Sequence, residues 1–216
     1  MLADRSAAET QFGHVYRPTH TNTSWDAARF EICAHRWLHV GETGYGVAIS
    51  NDSTYGHDVT RRPGGSGTTV RLSLLRAPLF PDPEADQGHH RMTTVLHPGA
   101  AIADAVEDGY RTNLPERVVR GAHAAQPLVT VSNPAVVVEC VKLAEDRSGD
   151  VIVRLYESLG GKARATLVPG FPVAGARAVD LLERDVESPG VVVGDESVEL
   201  ALRPFQLVTL RLPRSR

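Results

Sequence analysis

With 216 residues and 42% hydrophobic side chains, the chain is long enough for one large or two small domains and apolar enough to fill real cores, so it is not a disordered protein. A formal charge of -3, with 23 basic and 26 acidic residues mixed along the length, provides no basic face for nucleic acid or anionic lipid. No apolar run nears the roughly 20 residues a bilayer span needs, and Met1 to Thr10 lacks the basic start and apolar centre of a signal peptide, so a cytoplasmic location is expected.

Residues 1 to 24 are polar and interrupted by Pro18, and they are expected as ordered coil or an edge strand. Ala27 to Trp37 places Phe30, Ile32 and Ala34 between Arg29, Glu31 and Cys33, a period near two that predicts a strand. A turn over Gly41 to Gly46 leads into a second strand, which stops at Asn51-Asp52. Arg62-Pro63-Gly64-Gly65-Ser66-Gly67 predicts a hairpin connection, followed by a strand over Thr68 to Leu75 in which Val70, Leu72 and Leu74 alternate with polar residues. Pro78, Pro81 and Pro83 forbid a central strand, so Ala77 to Gly88 is read as loop. A short strand is expected over Met92 to Leu96, and the alanine-rich segment Gly99 to Tyr110 is the one helix expected.

After a small-residue linker near Gly121 to Gln126 the pattern changes to short strands at regular spacing. Leu128 to Val131, Ala135 to Leu143, Val151 to Ser158, Ala163 to Val168, Ala176 to Leu182, Val198 to Leu202 and Phe205 to Leu212 give about the strand count of a sandwich. Residues tolerant of positive φ, in Asp146 to Asp150 and Leu159 to Lys162, turn the chain between them. Cys33 and Cys140 lie far apart among apolar neighbours and are read as small buried hydrophobes in a reducing compartment.

Polar clusters at the strand ends carry whatever chemistry the chain holds. Of nine histidines, His89, His90 and His97 are the densest group, but adjacent residues of a strand face opposite ways and a zinc site needs three or four converging ligands, so no metal site is expected. Gly160-Gly161-Lys162-Ala163 lacks the earlier glycine and the hydroxyl of a phosphate loop, and no nucleophile elbow is present. Asp52, Asp58, Asp82, Glu84 and Asp86 offer carboxylates of the kind a glycosidase pairs, although loop acids more often cap turns. Their company points to sugar: Trp37, Tyr55, Gly56 and His90 supply the apolar face and the hydrogen-bond partners that a saccharide ring needs.

At these clusters the sequence resembles the C-terminal β region of family 38 glycoside hydrolases, the α-mannosidases, in their cytosolic and bacterial branch. The matching stretches are Gln11 to His14, Arg17-Pro18-Thr19-His20 through Ser24-Trp25-Asp26, Phe30-Glu31 to His35-Arg36-Trp37, Asn51-Asp52 to Tyr55-Gly56, Leu72 to Pro78, Asp82 to Gly88 with His90, and Gly109 to Pro115. Asn133-Pro134, Val138 to Asp146, Val153 to Glu157 and Pro204 to Leu212 continue the likeness. The resemblance implies an all-β chain, residues 1-124 being the latter part of a large β super-sandwich and 127-216 a small immunoglobulin-like β-sandwich. It also implies that hydrolysis of α-mannosides, the nucleophile and the zinc belong to an α/β barrel with no counterpart here, the alternatives being a barrel in the same polypeptide, a barrel on a separately encoded chain, or a chain that is a remnant. Asn51, Asp52, Tyr55, Gly56, Asp86, Gly88 and His90 are then the residues expected to complete the sugar subsite. Three departures, Met92, Thr94 and Gly99 where the family carries phenylalanine, tyrosine and histidine, fall on the cleft side. The rival readings are a non-catalytic carbohydrate-binding module, disfavoured by 6% aromatic residues, and a purely structural partner for the barrel.

Overall fold

The computed structural model describes residues 3–61, 64–65, 67–121, 124–194 and 196–215. The chain divides into two compact units, Met1–Arg117 and Val118–Arg216.

In the first unit, β1 (Arg5–Thr10), β2 (Gly13–Pro18), β4 (Trp37–Glu42), β5 (Tyr45–Asn51) and β8 (Thr94–Pro98) form an antiparallel sheet in the order β2-β1-β4-β5-β8. A smaller sheet orders β3 (Ile32–Cys33), β6 (Gly56–Arg61) and β7 (Thr68–Leu72) as β3-β6-β7. The two sheets share one core, in which Ala8, Leu38, Val40 and Ile49 of the larger meet Val59, Val70 and Leu72 of the smaller. Cross-strand register explains this face: Ala8 lies opposite Leu38, and Leu38 opposite Ile49, so one pleat surface carries all three. On the other face of the larger sheet lies helix α2 (Ile102–Asn113), whose Gly109 passes over the ring of Trp37.

The segment expected as ordered coil or an edge strand forms two strands, β2 at the edge of the sheet as that reading allowed and β1 inside it. Ser6-Ala7-Ala8 has no β-branched signature, yet β1 sits inside the sheet between β2 and β4, where small side chains satisfy close packing. The strand expected from Ala27 to Trp37 is broken. Thr23 caps a short helix, α1 (Ser24–Ala28): its hydroxyl accepts from Asp26 N while the Asp26 carboxylate accepts from Thr23 N, a capping box that starts a helix before the β pattern can act. Only Ile32–Cys33 remains extended before β4. Gly56–Arg61, whose first residues belong to the polar cluster at the end of β5, is strand β6, because His57 and Val59 turn inward while Asp58 and Thr60 face out. The expected connection over 62–67 joins β6 to β7, with Arg62, Pro63 and Ser66 outside the described residues. The helix begins and ends three residues later than expected, and β8 is shifted two residues along the chain. Cys33 is exposed and Cys140 half-buried, so neither is the core hydrophobe expected; β3 is too short to cover the first, and both thiols are free.

The second unit is a sandwich of two four-stranded antiparallel sheets. One orders β10 (Val136–Leu143), β11 (Val151–Glu157), β16 (Leu207–Leu212) and β13 (Arg177–Val179); the other orders β14 (Val191–Val193), β15 (Val198–Leu202), β12 (Ala163–Pro169) and β9 (Val129–Val131). Val153, Leu155, Leu210 and Leu212 from the first meet Leu167, Val198, Leu200 and Leu202 from the second. On the outer face of β16, Arg211 donates to Asp150 and to Asp146, each at 2.6 Å, and so ties the β10–β11 turn to the sheet. β14 adds a strand to the seven expected: Val191-Val192-Val193, between Gly190 and Gly194, is β-branched throughout and pairs with β15.

A Cβ added at Gly109 would stand 2.7 Å from Trp37 Cδ1 and 3.2 Å from Arg36 Cβ, against a tryptophan buried on all sides. Gly109→Ala is therefore expected to destabilise the first unit by about 1–3 kcal/mol despite the better helix propensity of alanine. Chemical denaturation followed by tryptophan fluorescence checks this, and an unchanged midpoint would contradict it.

Candidate functional site

The β5–β6 loop is set by Asn51, the last residue of β5. Its buried carbonyl oxygen Oδ1 accepts from Ser53 N at 3.1 Å and from Thr54 N at 2.7 Å, and Nδ2 donates to His35 O at 3.2 Å. An asparagine that accepts from backbone two and three residues ahead closes an Asx turn, which explains why the strand stops there. Asp52 reaches sideways. Its Oδ1 accepts from Thr93 N at 2.9 Å, and hydrogen bonds from the Thr93 backbone, Thr93 and Ser53 hold its carboxyl at a pKa of about 2.

The turn delivers Tyr55 to the surface. Its backbone carbonyl accepts from Ala34 N at 2.9 Å and lies 3.1 Å from His57 Nδ1, while its ring, 64% exposed, leans on His35 with centroids 5.1 Å apart. Gly56 follows because space demands it: a Cβ would fall 2.5 Å from Glu31 Oε1 and 2.9 Å from Ser73 Cβ. In that gap the Ser73 hydroxyl donates to the Glu31 carboxylate. Tyr55, Gly56, Glu31 and Ser73, with Phe30, Leu74 and Leu75, line an open groove of about 1000 Å³. It presents the Glu31 carboxylate, the Arg76 guanidinium, the Ser73 hydroxyl, the Tyr55 phenol, the Cys33 thiol and an apolar wall, a mixture of apolar and hydrogen-bonding groups that suits a saccharide.

The expected site residues thus separate into three groups. Tyr55 and Gly56 line the groove, Asn51 and Asp52 hold the loop that bears them, and Asp86, Gly88 and His90 belong to a second loop with contacts of its own. There Asp86, at φ 60°, accepts from Ala77 N at 2.9 Å through Oδ2, and its carbonyl lies 2.8 Å from His90 Nε2; Gly88, at φ 132°, lets the chain turn between them. Trp37 offers no sugar platform, because it is 1% exposed beneath α2. Of the other acids, Asp58 pairs with Arg71 at 2.5 Å and Asp82 accepts from Glu84 N at 2.9 Å, so both act in structure. Glu31 and Ser73 lie 42 residues apart in sequence and carried no signal as a pair. His97 faces Asp108 of α2, with Nδ1 2.7 Å from Oδ2, and stands apart from His89 and His90 in the hydrogen-bonding scheme. Among the described residues, no three His, Cys, Asp or Glu side chains gather as a metal site requires.

His57 lies directly beneath the groove, fully buried in β6. Burial pushes its pKa below the ordinary 6.5, an effect that the Tyr55 carbonyl and the Glu31 charge only partly offset. The unfolded chain therefore takes up this proton at a higher pH than the folded one, so the stability His57 permits is complete above pH 6.5 and is lost as pH falls. Thermal melts from about pH 8 to about pH 5 should show this loss, at a slope of at most about 1.4 kcal/mol per pH unit, and His57→Gln should flatten it. An equal slope in the variant would contradict the assignment.

Known proteins match along both units. The family model for the "Glycosyl hydrolases family 38 C-terminal domain" matches residues 1–84, and that for the "Glycosyl hydrolases family 38 C-terminal beta sandwich domain" matches residues 135–210. Human alpha-mannosidase 2C1 is 39% identical over 219 residues, covering 97% of this chain and 20% of the relative. An alpha-mannosidase of Saccharomyces cerevisiae is 34% identical over 236 residues, covering 97% and 21%. An alpha-mannosidase from Enterococcus faecalis V583 superposes with a TM-score of 0.70 at 19% identity, over 98% of this chain and 24% of that one, which shows the shared fold. The chain spans about a fifth of the length of the curated relatives it matches. Both units thus align in order with one family, and this chain belongs to the C-terminal β region of the family 38 glycoside hydrolases.

Proposed function

We propose that this β region forms one wall of the sugar cleft of an α-mannosidase, and that it acts on α-D-mannosides only together with a catalytic α/β barrel outside these 216 residues. The observation that carries the reading is the groove itself: an exposed phenol, held by Asn51 and His57 through the backbone, stands beside an exposed Glu31–Ser73 hydrogen-bonded pair. The name shared by the relatives supports mannosides as the substrate class.

In this reading the reaction is a retaining double displacement in which barrel carboxylates supply the nucleophile and the acid/base. Zinc would likewise sit in the barrel. The described residues of this chain do not fit a zinc site, and no step runs through one here. The contribution of the β region is positional: Tyr55 offers a ring face, Glu31 and Ser73 accept and donate hydrogen bonds, and the wall excludes water from one side of the sugar. Two free thiols support a reducing, cytoplasmic setting, and no helix among the described residues is long and apolar enough to cross a membrane.

An aryl α-mannoside assay in the presence of zinc tests this directly. The purified chain alone should give no turnover, and mixing it with a family 38 barrel chain should restore it. Tyr55→Ala should then lower kcat/KM by about tenfold, the scale of one aromatic contact. Turnover by the chain alone would refute the proposal.

A further inference from the structure

In the larger sheet of the first unit, β8 is the end strand: it pairs with β5, and among the described residues no strand lies on its other side. All five of its residues, Thr94 to Pro98, are exposed. The hydrogen bonds that flank it fix which backbone groups face outward. Asp52 N donates to Thr93 O at 3.3 Å and Gly99 N to Gly46 O at 2.8 Å, in one unbroken register. Antiparallel alternation then turns the N–H and C=O of Val95 and His97 toward β5 and those of Thr94 and Leu96 away from it.

An edge of this kind is ordinarily blunted by charge, proline or a bulge. β10 carries a bulge between Val138 and Cys140 and the charges of Glu139 and Lys142, and β2 ends in Arg17 and Pro18. β8 has no bulge and no Lys, Arg, Asp or Glu. Its apolar side chains also lack cover. Leu96 stands opposite Ile49, and Ile49 opposite Leu38, so all three share the core face; Leu38 and Ile49 are buried, whereas Leu96 is 65% exposed. The core thus stops one strand short of the end of its sheet.

The same edge continues from the groove. Asp52, in the loop that bears Tyr55, accepts from Thr93 N at 2.9 Å and so joins that loop to the start of β8. About four-fifths of the length of the curated relatives lies outside the part matched here, and that remainder is the polypeptide with strands to give.

We propose that the β8 edge receives an extended strand from that remainder of the enzyme, the catalytic chain, which hydrogen-bonds to Thr94 and Leu96 and covers the Leu96 side chain. This partner is the one named under the proposed function, on which the assignment rests. In such a strand addition the main-chain bonds supply affinity and the covered side chain sets the register.

Mixing this chain with a family 38 barrel chain that lacks its own copy of the region, with hydrogen exchange read at single amides, tests it. Slowed exchange at the Thr94 and Leu96 amides is expected. Proline is tolerated on an edge where its nitrogen faces out, so Leu96→Pro should keep the parent's melting temperature and weaken the complex at least about tenfold. Leu96→Lys, which leaves the backbone intact, should weaken it as well, and Val192→Lys, on an end strand of the other unit, should bind as the parent does. A mixture that hydrolyses mannoside while the Leu96 amide exchanges as before, or Leu96 variants that bind like the parent, would overturn this inference and leave the proposed function standing. A mixture with neither binding nor turnover would overturn both. Protection that grows with the concentration of this chain alone would assign the edge to a second copy and overturn the inference equally.

Discussion

The buried amide of Asn51 is the contact on which the candidate site depends. It is 3% exposed, and through side chain and backbone it joins four segments: the Ser53–Thr54 turn, His35 and Arg36 ahead of β4, its own strand, and α2 through Asn113 Nδ2, which donates to Asn51 O at 2.9 Å. Burying an amide is costly unless its donors and acceptors are met, and here the partners are backbone groups that would otherwise be left unpaired at a strand end. One side chain thereby ends β5, sets the loop and fixes where β6 begins. The position of Tyr55 follows from that.

A second layer of constraint lies beneath the loop. Arg36 sits at the same crossing, with Nε 2.9 Å from Glu9 Oε1 and its guanidinium 4.0 Å from the Tyr110 ring, so β1, the approach to β4 and α2 are tied by one charged group. Burial works against its charge, and the Glu9 carboxylate more than offsets this, leaving the guanidinium harder to deprotonate than usual. His57 closes the layer from the smaller sheet. Its Nδ1 meets the Tyr55 carbonyl and its Nε2 has no hydrogen-bond partner among the described residues, a polar group retained where a hydrophobe would pack. The groove therefore rests on Asn51, Arg36 and His57, which stand with other polar residues that this unit buries beside its alanine- and valine-rich core, among them Glu9, His14, Ser50 and Thr54.

What could be read in the sequence follows from where side-chain pattern and environment agree. β15 was plain because Val198, Leu200 and Leu202 face the core while Glu199 and Ala201 face out, and Ala163, Ala165 and Leu167 of β12 follow the same rule, whereas β11 and β16 are buried on both faces and read as nearly continuous apolar runs. The pattern failed where a polar residue points inward, as His57 does in β6, or where small residues fill a tight sheet, as in β1. α1 was hidden by the apolar alternation that follows it, although Thr23 and Asp26 stand at capping-box spacing. In the candidate groove, Tyr55 and Gly56 are residues that the sequence marks by their aromatic and polar company and by the resemblance. Glu31 and Ser73 are not marked as a pair, since only strand pairing between β3, β6 and β7 brings them together. Asn51, Asp52 and Asp86, expected at the sugar subsite from the resemblance, accept backbone hydrogen bonds in their loops, and short polar side chains suit both roles.

If the groove faces the mannoside cleft, then Cys33, an exposed thiol on its rim, becomes covered when a barrel chain engages, while half-buried Cys140 in the other unit does not. The most direct measurement is the alkylation rate of each thiol, read by peptide mass spectrometry, with and without a family 38 barrel chain. Selective slowing at Cys33 is the predicted result. An unchanged rate at Cys33 in a mixture that hydrolyses mannoside would contradict the account.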